Sequence, residues 1–132
     1  MTDASLYRAP ITIRCDVKAG GATLELDLLV DASKGAIYGD GRILQAVTPP
    51  GGDLPIHNIT GQIRHTGLHK DQLLVALHGE YGIPGPPPTI AIGTGKMTAA
   101  LTLDRQWNGD GMFTYGVNGR QSCPQATVTN RD

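Results

Sequence analysis

The chain lacks the features that identify a membrane protein or a nucleic-acid-binding protein. None of its apolar runs approaches the roughly 18 residues of a membrane-spanning helix. Its 11 Lys and Arg residues are scattered along the sequence, and the formal net charge is -1. Binding to nucleic acid requires clustered positive charge opposite the phosphates, and a membrane surface attracts basic amphipathic helices. We therefore expect neither a nucleic-acid partner nor a membrane partner.

Aromatic residues and cysteines are also few. Aromatic side chains make up 5% of the 132 residues, so the core of the one expected domain is aliphatic. Cys15 and Cys123 form no CxxC pair, and we expect free thiols. A disulfide would need the first and last strands to be neighbours, which a closed barrel allows. The first ten residues contain Asp3 and no apolar signal segment, which predicts a cytoplasmic protein. Export without a cleavable signal stays open.

Alternation of apolar and polar residues is the dominant pattern. Apolar side chains occupy every second position in ITIRCDV (11–17), TLELDLL (23–29) and KMTAALTLD (96–104). This period is typical of half-buried strands. About eight such strands are separated by turn-like segments, and no segment has a convincing helical period. We predict an all-β, single-domain antiparallel meander over residues 1–132 that closes into a barrel. A two-sheet β-sandwich is the alternative.

Glycine and proline are abundant, with 18 and 9 residues, and one connector is rich in both. Residues 83–95 read IPGPPPTIAIGTG, and their prolines favour a stiff, extended loop. Long loops in compact domains are often functional. Exposed isoleucines would need a partner. We therefore predict that Ile83, Ile90 and Ile92 line the rim of the barrel, where they bind a small apolar ligand or a protein partner.

The segment Leu73 to Leu77 is apolar throughout. Its length and neighbours favour a strand that is covered on both faces or lies at an interface, and a helix is the alternative. The interface reading predicts a homo-oligomer that forms through Leu73 to Leu77.

The turn DRQWNGDG carries the most notable polar side chains. Asp104, Asn108 and Asp110 offer oxygen atoms that suit calcium, and Trp107 could stack on a sugar ring. Their spacing differs from that of an EF-hand loop. A hairpin turn also uses Asn, Asp and Gly for its backbone geometry alone. We name Trp107, Asn108 and Asp110 as ligand-binding candidates and expect Trp107 to be partly exposed. Carbohydrate or calcium binding at this turn ranks below the binding of an apolar ligand or a protein.

Sequence patterns for catalysis are missing. His65 and His69 are four residues apart, but the residues between them predict a turn, so they do not share a helix face. GTGKMT has Met97 at the position where a phosphate-binding loop carries Ser or Thr. We therefore predict no catalytic residue, no metal and no cofactor. The sequence favours a non-catalytic binding module. A small enzyme of the barrel cyclase or hydrolase type and a structural or assembly protein are the alternatives.

Four stretches occur in a fixed order: TPPGGDLPIHNITGQI, LLVALHGEYG, the Pro/Gly-rich connector and LTLDRQWNGDGMFTY. Together they resemble a family of small bacterial proteins of unknown function. In that family the acidic residue and the Trp of the last stretch are adjacent, whereas Arg105 and Gln106 separate Asp104 from Trp107 here. The resemblance spans roughly Gly39 to Val117 and implies a single β domain, without any implied activity or site.

Overall fold

The structure is a computed structural model, and it describes residues 6–16, 22–45, 53–65, 72–83, 93–116 and 121–132. Eight strands form one closed barrel in which each strand pairs with the next and β8 pairs with β1. Every pairing is antiparallel. The predicted meander and its closure are therefore confirmed. The strands are β1 (Leu6–Cys15), β2 (Thr23–Asp31), β3 (Ala36–Leu44), β4 (Asp53–His65), β5 (Leu73–Ile83), β6 (Gly93–Leu103), β7 (Gly109–Tyr115) and β8 (Gln121–Asn130).

Aliphatic side chains fill the inside of the barrel. In β2, for example, Leu24, Leu26 and Leu28 are at most 2% exposed. An eight-stranded barrel has an interior just wide enough for its own side chains. None of the fully buried residues that the structure describes is polar or charged. The described part of the chain also contains no helix with the length and apolarity that a membrane crossing requires.

A bulge in β4 and a glycine in β3 bend the sheet where the barrel turns. Gly39 pairs with Ile59 and Gly41 with Ile56, so β4 carries one extra residue opposite this part of β3. Within the bulge, Asn58 has a left-handed φ of 58°. A Cβ on Gly39 would lie 2.2 Å from the carbonyl oxygen of Asp27 in β2. The segment around Gly39 is therefore a single strand, β3, that pairs with the bulged β4.

The seam between β1 and β8 is closed covalently. Cys15 and Cys123 form a disulfide with a Cα–Cα distance of 5.8 Å, so the expectation of free thiols is wrong. Cys123 lies in β8, which pairs with β1, so closure of the barrel brings the two cysteines together. Pro124 sits at a register irregularity opposite β7, where a missing backbone N–H is tolerated.

Arg131, just after β8, makes a second set of contacts across the seam between β8 and β1. The Arg131 guanidinium donates hydrogen bonds to the carbonyl oxygens of Ile11 at 2.9 Å and Leu26 at 3.2 Å. It also pairs with the Asp27 carboxylate at 2.6 Å. One side chain after β8 therefore spans β1 and reaches β2.

The Pro/Gly-rich connector is shorter than predicted. β5 continues to Ile83 and β6 begins at Gly93, and these two residues are paired. Both ends of the predicted loop 83–95 therefore belong to strands, and residues 84–92 lie outside the described residues. Gly95 is needed inside the barrel, because a Cβ there would lie 2.3 Å from the ring of Tyr81. The Tyr81 hydroxyl accepts a hydrogen bond from the Gly116 N–H at 2.7 Å, and burial raises the pKa of Tyr81.

Candidate functional site

The outer surface of the barrel over β1 to β3 carries ion pairs as well as the exposed apolar side chains of Leu6, Leu29 and Tyr38. Arg42 forms ion pairs with Glu25 at 2.9 Å and Asp53 at 3.4 Å. The hydrogen bond and the negative charge of Glu25 raise the pKa of Arg42. The Asp27–Arg131 pair lies on the same side. These charges already have partners within the chain, which is typical of a solvated surface.

The outer surface over β4 to β7 has a different composition. Two neighbouring rows of outward-facing residues cross these four strands, and Leu74 and Thr102 extend the rows at one end. None of these side chains is Asp, Glu, Lys or Arg. We call this surface the uncharged face. Its rows are Thr60–His78–Thr98–Thr114 and Gln62–Ala76–Ala100–Met112.

Large apolar side chains are exposed on this face and beside it. Leu74 is 45% exposed and Met112 43%, and Tyr38 of the adjoining β3 is 51% exposed. The inward neighbours of Leu74 are buried, so the apolar segment of β5 alternates between core and surface. The prediction that β5 is covered on both faces is therefore wrong within the single chain, and its interface alternative remains a prediction.

Hydrogen bonds hold the polar row of the uncharged face in place. The Thr60 hydroxyl and the His78 Nε2 atom are 2.9 Å apart, and the Thr98 and Thr114 hydroxyls bond to each other. Because these groups satisfy one another across strands, covering them loses less hydrogen bonding to water. A shallow depression of about 300 Å³ runs over Ala76 and Ala100 in the middle of the face. The centre of the uncharged face is therefore a shallow depression with small, largely apolar side chains.

Charged residues mark both ends of the uncharged face. At one end Glu80 of β5 pairs in register with Lys96 of β6. At the other end Arg64 of β4 and Asp110 of β7 belong to one row, separated by Leu74 and Thr102. A charge-depleted centre with a polar rim is the usual anatomy of a protein interface.

The turn between β6 and β7 contains the aromatic candidate, but it is buried. Trp107 is only 3% exposed, so the prediction of a partly exposed ring is wrong. Its backbone has a left-handed φ of 66°, which directs the indole beneath Tyr7. The Trp107 Nε1–H donates to the Tyr7 hydroxyl at 3.2 Å. The ring therefore offers no exposed surface on which a sugar could stack.

The polar candidates of this turn have structural partners. One oxygen of Asp104 accepts the backbone N–H groups of Gln106 and Asn108 at 2.9 and 3.0 Å. The Asn108 side-chain oxygen accepts the N–H of Asn130 at 2.9 Å, which ties the turn to β8. Asp110 is exposed at the end of the uncharged face. Asp104 and Asn108 thus hold the turn in place, and ligand binding by Asn108 or Asp110 remains a prediction.

The three isoleucine candidates are not brought together by the described residues. The backbone of Ile83 ends β5, while Ile90 and Ile92 lie outside the described part of the chain. Their ligand-binding role remains a prediction. Within the described ranges, no group of His, Cys, Asp and Glu side chains could hold a metal ion.

Comparison with known proteins gives a family without an assigned activity. No curated protein matches the chain. A family model described as "Domain of unknown function (DUF1842)" matches residues 4–121. The resemblance inferred for Gly39 to Val117 is therefore confirmed, and the matched region includes β1 to β7. The chain belongs to the DUF1842 family.

Proposed function

We propose that this barrel is a non-catalytic interaction module that binds a second copy of itself through the uncharged face. The observation that supports the proposal is the arrangement of opposite charges at the two ends of that face. Self-association with two-fold symmetry brings the same patch of both copies together, so the patch must complement itself. The arrangement of Glu80, Lys96, Arg64 and Asp110 meets this requirement for one orientation of the axis.

That orientation places the two-fold axis parallel to the strands, midway between β5 and β6. β5 of one copy then lies opposite β6 of the other, β4 lies opposite β7, and each row stays level with itself. Glu80 faces the partner's Lys96. Arg64 lies on the same side of the axis as the partner's Asp110, but the closed barrel curves β4 and β7 away from the partner, so these two charges attract each other across the rim without direct contact. Each attraction occurs twice, and no like charges meet, which would otherwise oppose association.

The centre of the same arrangement is made of small side chains. Ala76 faces the partner's Ala100, so the two sheets can approach closely along the axis. Leu74 and Met112 flank this centre and have apolar surface to bury. Burial of such side chains supplies the association free energy, while the charged ends fix the register.

The size of the face predicts a reversible dimer. Six residues along β5 separate Leu74 from Glu80, or about 20 Å, and four strands are about 14 Å wide between their axes. Because the closed barrel curves away at both sides, the footprint is therefore at most about 300 Å², compared with about 800 Å² per partner for a standard interface. Contacts from Tyr38 at the margin enlarge it only modestly. For so small an interface we expect a dissociation constant of roughly micromolar or higher.

Exchange of the charges at Arg64 and Asp110 tests the proposal. Arg64 and Asp110 lie on strands that are not neighbours. Exchanging them therefore disrupts no contact between the two residues within one chain. We expect Arg64→Asp and Asp110→Arg each to weaken dimerisation about threefold, because two attractions across the rim of the dimer become repulsions. The double variant should regain most of the affinity. Arg14→Asp, on β1, is the matched control and should leave the dimer unchanged.

Sedimentation velocity over a concentration series gives the dissociation constant for each variant. The proposal is wrong if the unmodified protein stays monomeric up to about 1 mM, a limit that corresponds to about -4 kcal/mol of association. It is also wrong if the double variant dimerises no better than the single ones. Far-UV circular dichroism confirms that each variant retains the barrel.

A further inference from the structure

We infer that a groove on the outer surface of β3, β4 and β5 binds a flat, uncharged nitrogen heterocycle of the purine type. This side groove has a volume of about 360 Å³, at the lower end of the range for small-molecule sites. It overlaps the β4 side of the uncharged face, where the closed barrel curves away from the proposed dimer contact. The inference therefore goes beyond the proposed function and does not depend on it. The side chains that matter here are Ala36, Tyr38, Thr60, Gln62, Ala76 and His78.

Two rings stand on opposite sides of the side groove. The register places Tyr38 of β3 and His78 of β5 in one row, with Thr60 of β4 between them. Two strand spacings separate the outer two residues, or about 10 Å. Side chains stand roughly perpendicular to a sheet, so the rings are spaced similarly. Stacked rings have centroids about 4.5 to 7 Å apart, so one flat ring between these two would lie within stacking distance of both.

Both rings are available for stacking. Tyr38 is 51% exposed, the largest value among the large apolar side chains that the structure describes. The Nε2 atom of His78 is 2.9 Å from the Thr60 hydroxyl, which turns the exposed imidazole toward the groove and holds it there. A ring that is already held loses less conformational freedom when a ligand binds. Bases stack well on such side chains because every base has a π face.

The floor of the side groove offers a group that can pair with the edge of a base. Gln62 is exposed between Ala36 and Ala76, whose short side chains leave its amide accessible. It lies two residues, or about 7 Å, along β4 from Thr60. An amide carries both donor and acceptor, and Gln pairs with adenine through both at once. Among the described residues, no Asp, Glu, Lys or Arg lines the groove, which favours a free base over a phosphorylated one.

Titration with adenine, followed through the backbone amide signals in NMR spectra, tests the inference. We expect a dissociation constant below about 1 mM and signal changes centred on residues 36–38, 60–62 and 76–78. N6,N6-dimethyladenine keeps the flat ring but lacks the N–H donors that pair with the amide oxygen, so it should bind at least about fivefold more weakly. Glucose has a puckered ring without a π face and should bind at least about tenfold more weakly.

Variants then locate the site. Tyr38→Ala should weaken adenine binding about tenfold, whereas Tyr38→Phe keeps the ring and should bind within about twofold of the unmodified protein. Gln62→Leu removes both hydrogen-bonding groups and should weaken binding at least about fivefold. Met112→Ala shortens an exposed side chain of the uncharged face outside the groove and is the matched control, with no expected effect. Asp110→Arg, which weakens the proposed dimer, should also bind adenine normally, so failure of the dimer would leave this test intact.

Four results would overturn the inference. They are the absence of saturable changes with up to about 5 mM adenine, changes centred outside the side groove, unchanged binding by Tyr38→Ala, and binding of glucose as tight as that of adenine. Far-UV circular dichroism shows whether Tyr38→Ala is folded. If it is not, Tyr38→Leu removes the ring while keeping an apolar side chain, and it should weaken adenine binding to the same extent.

Discussion

Reduction of the disulfide between Cys15 and Cys123 should lower the free energy of unfolding by about 4 to 5 kcal/mol. The bond joins residues that are 108 positions apart. The loop-entropy relation gives about 4.8 kcal/mol for a loop of that length at 25 °C, as a model-dependent value. The bond also closes the seam, where register pairs extend only from Ile11–Asn130 to Cys15–Ala126. The reduced barrel should therefore open first at this seam.

Urea unfolding of the oxidised and the reduced protein measures this difference. For a chain of 132 residues, an unfolding entropy of about 2.1 cal/mol/K per residue converts 4.8 kcal/mol into a melting temperature lower by about 17 °C. The Cys15→Ala, Cys123→Ala double variant should be insensitive to reductant and about as stable as the reduced protein. A stability difference below about 1 kcal/mol would refute the loop-entropy argument. Reactive thiols in the unreduced, denatured protein would refute the pairing itself.

Three further predictions concern single positions. Gly39→Ala should lower the free energy of unfolding in urea by about 2 kcal/mol or more, because the new Cβ would lie 2.2 Å from the Asp27 carbonyl oxygen. Gly82→Ala is the control: a Cβ there has no neighbour within 4 Å, so its stability should change by less than about 0.5 kcal/mol. Comparable costs for the two variants would contradict the close approach. Burial raises the pKa of Tyr81 above its unfolded value of 10.0, so its stabilising contribution is complete below about pH 10 and declines as the pH rises through the folded pKa. Tyr81→Phe should flatten the stability curve above that pH, and an unchanged slope would count against it. Trp107 should emit as a shielded indole and resist acrylamide, so that efficient quenching would show the ring to be exposed.

The strand pattern could be predicted from the sequence wherever alternation was uninterrupted, as in β2 and β6. Both strands that form the seam contain a proline, and the alternation that predicted β1 begins only at Ile11, whereas the strand begins at Leu6. Pro10 lies in β1 just before the first β1–β8 pair, and Pro124 lies at the irregularity in β8. Both positions tolerate a missing N–H, but this tolerance follows from pairing across the closed barrel, which a single sequence does not reveal.

The disulfide also bears on the prediction of a cytoplasmic location. The cytoplasmic prediction came from the absence of an apolar signal segment, and the expectation of free thiols at Cys15 and Cys123 agreed with it. Disulfides form and persist mainly in oxidising compartments and are rare in the cytosol. The observed pairing therefore removes that support, and non-reducing mass spectrometry of protein from its source cell is the direct check.

The candidate site was only partly predictable for a similar reason. The sequence identified the apolar segment of β5, and alternation separates Leu74 and Ala76 from their buried neighbours. It also indicated that Thr98 and Ala100 point away from the core. It could not place Arg64 and Asp110 in one row, because that relation depends on the register of three successive strand pairings. Trp107 was misjudged because a left-handed backbone at a bulky residue is rare and has no sequence signature.

Stability and recognition are separated in this barrel by the two sides of each strand. Successive side chains point to opposite faces, so Val75 contributes to the core while Ala76 contributes to the uncharged face. A core substitution such as Val75→Ala should therefore lower the unfolding free energy yet leave the dissociation constant of the folded dimer unchanged. Ala76→Asp should do the reverse. If both measurements changed together for either variant, the uncharged face would be part of the folding core, and its proposed role as an independent interface would fail.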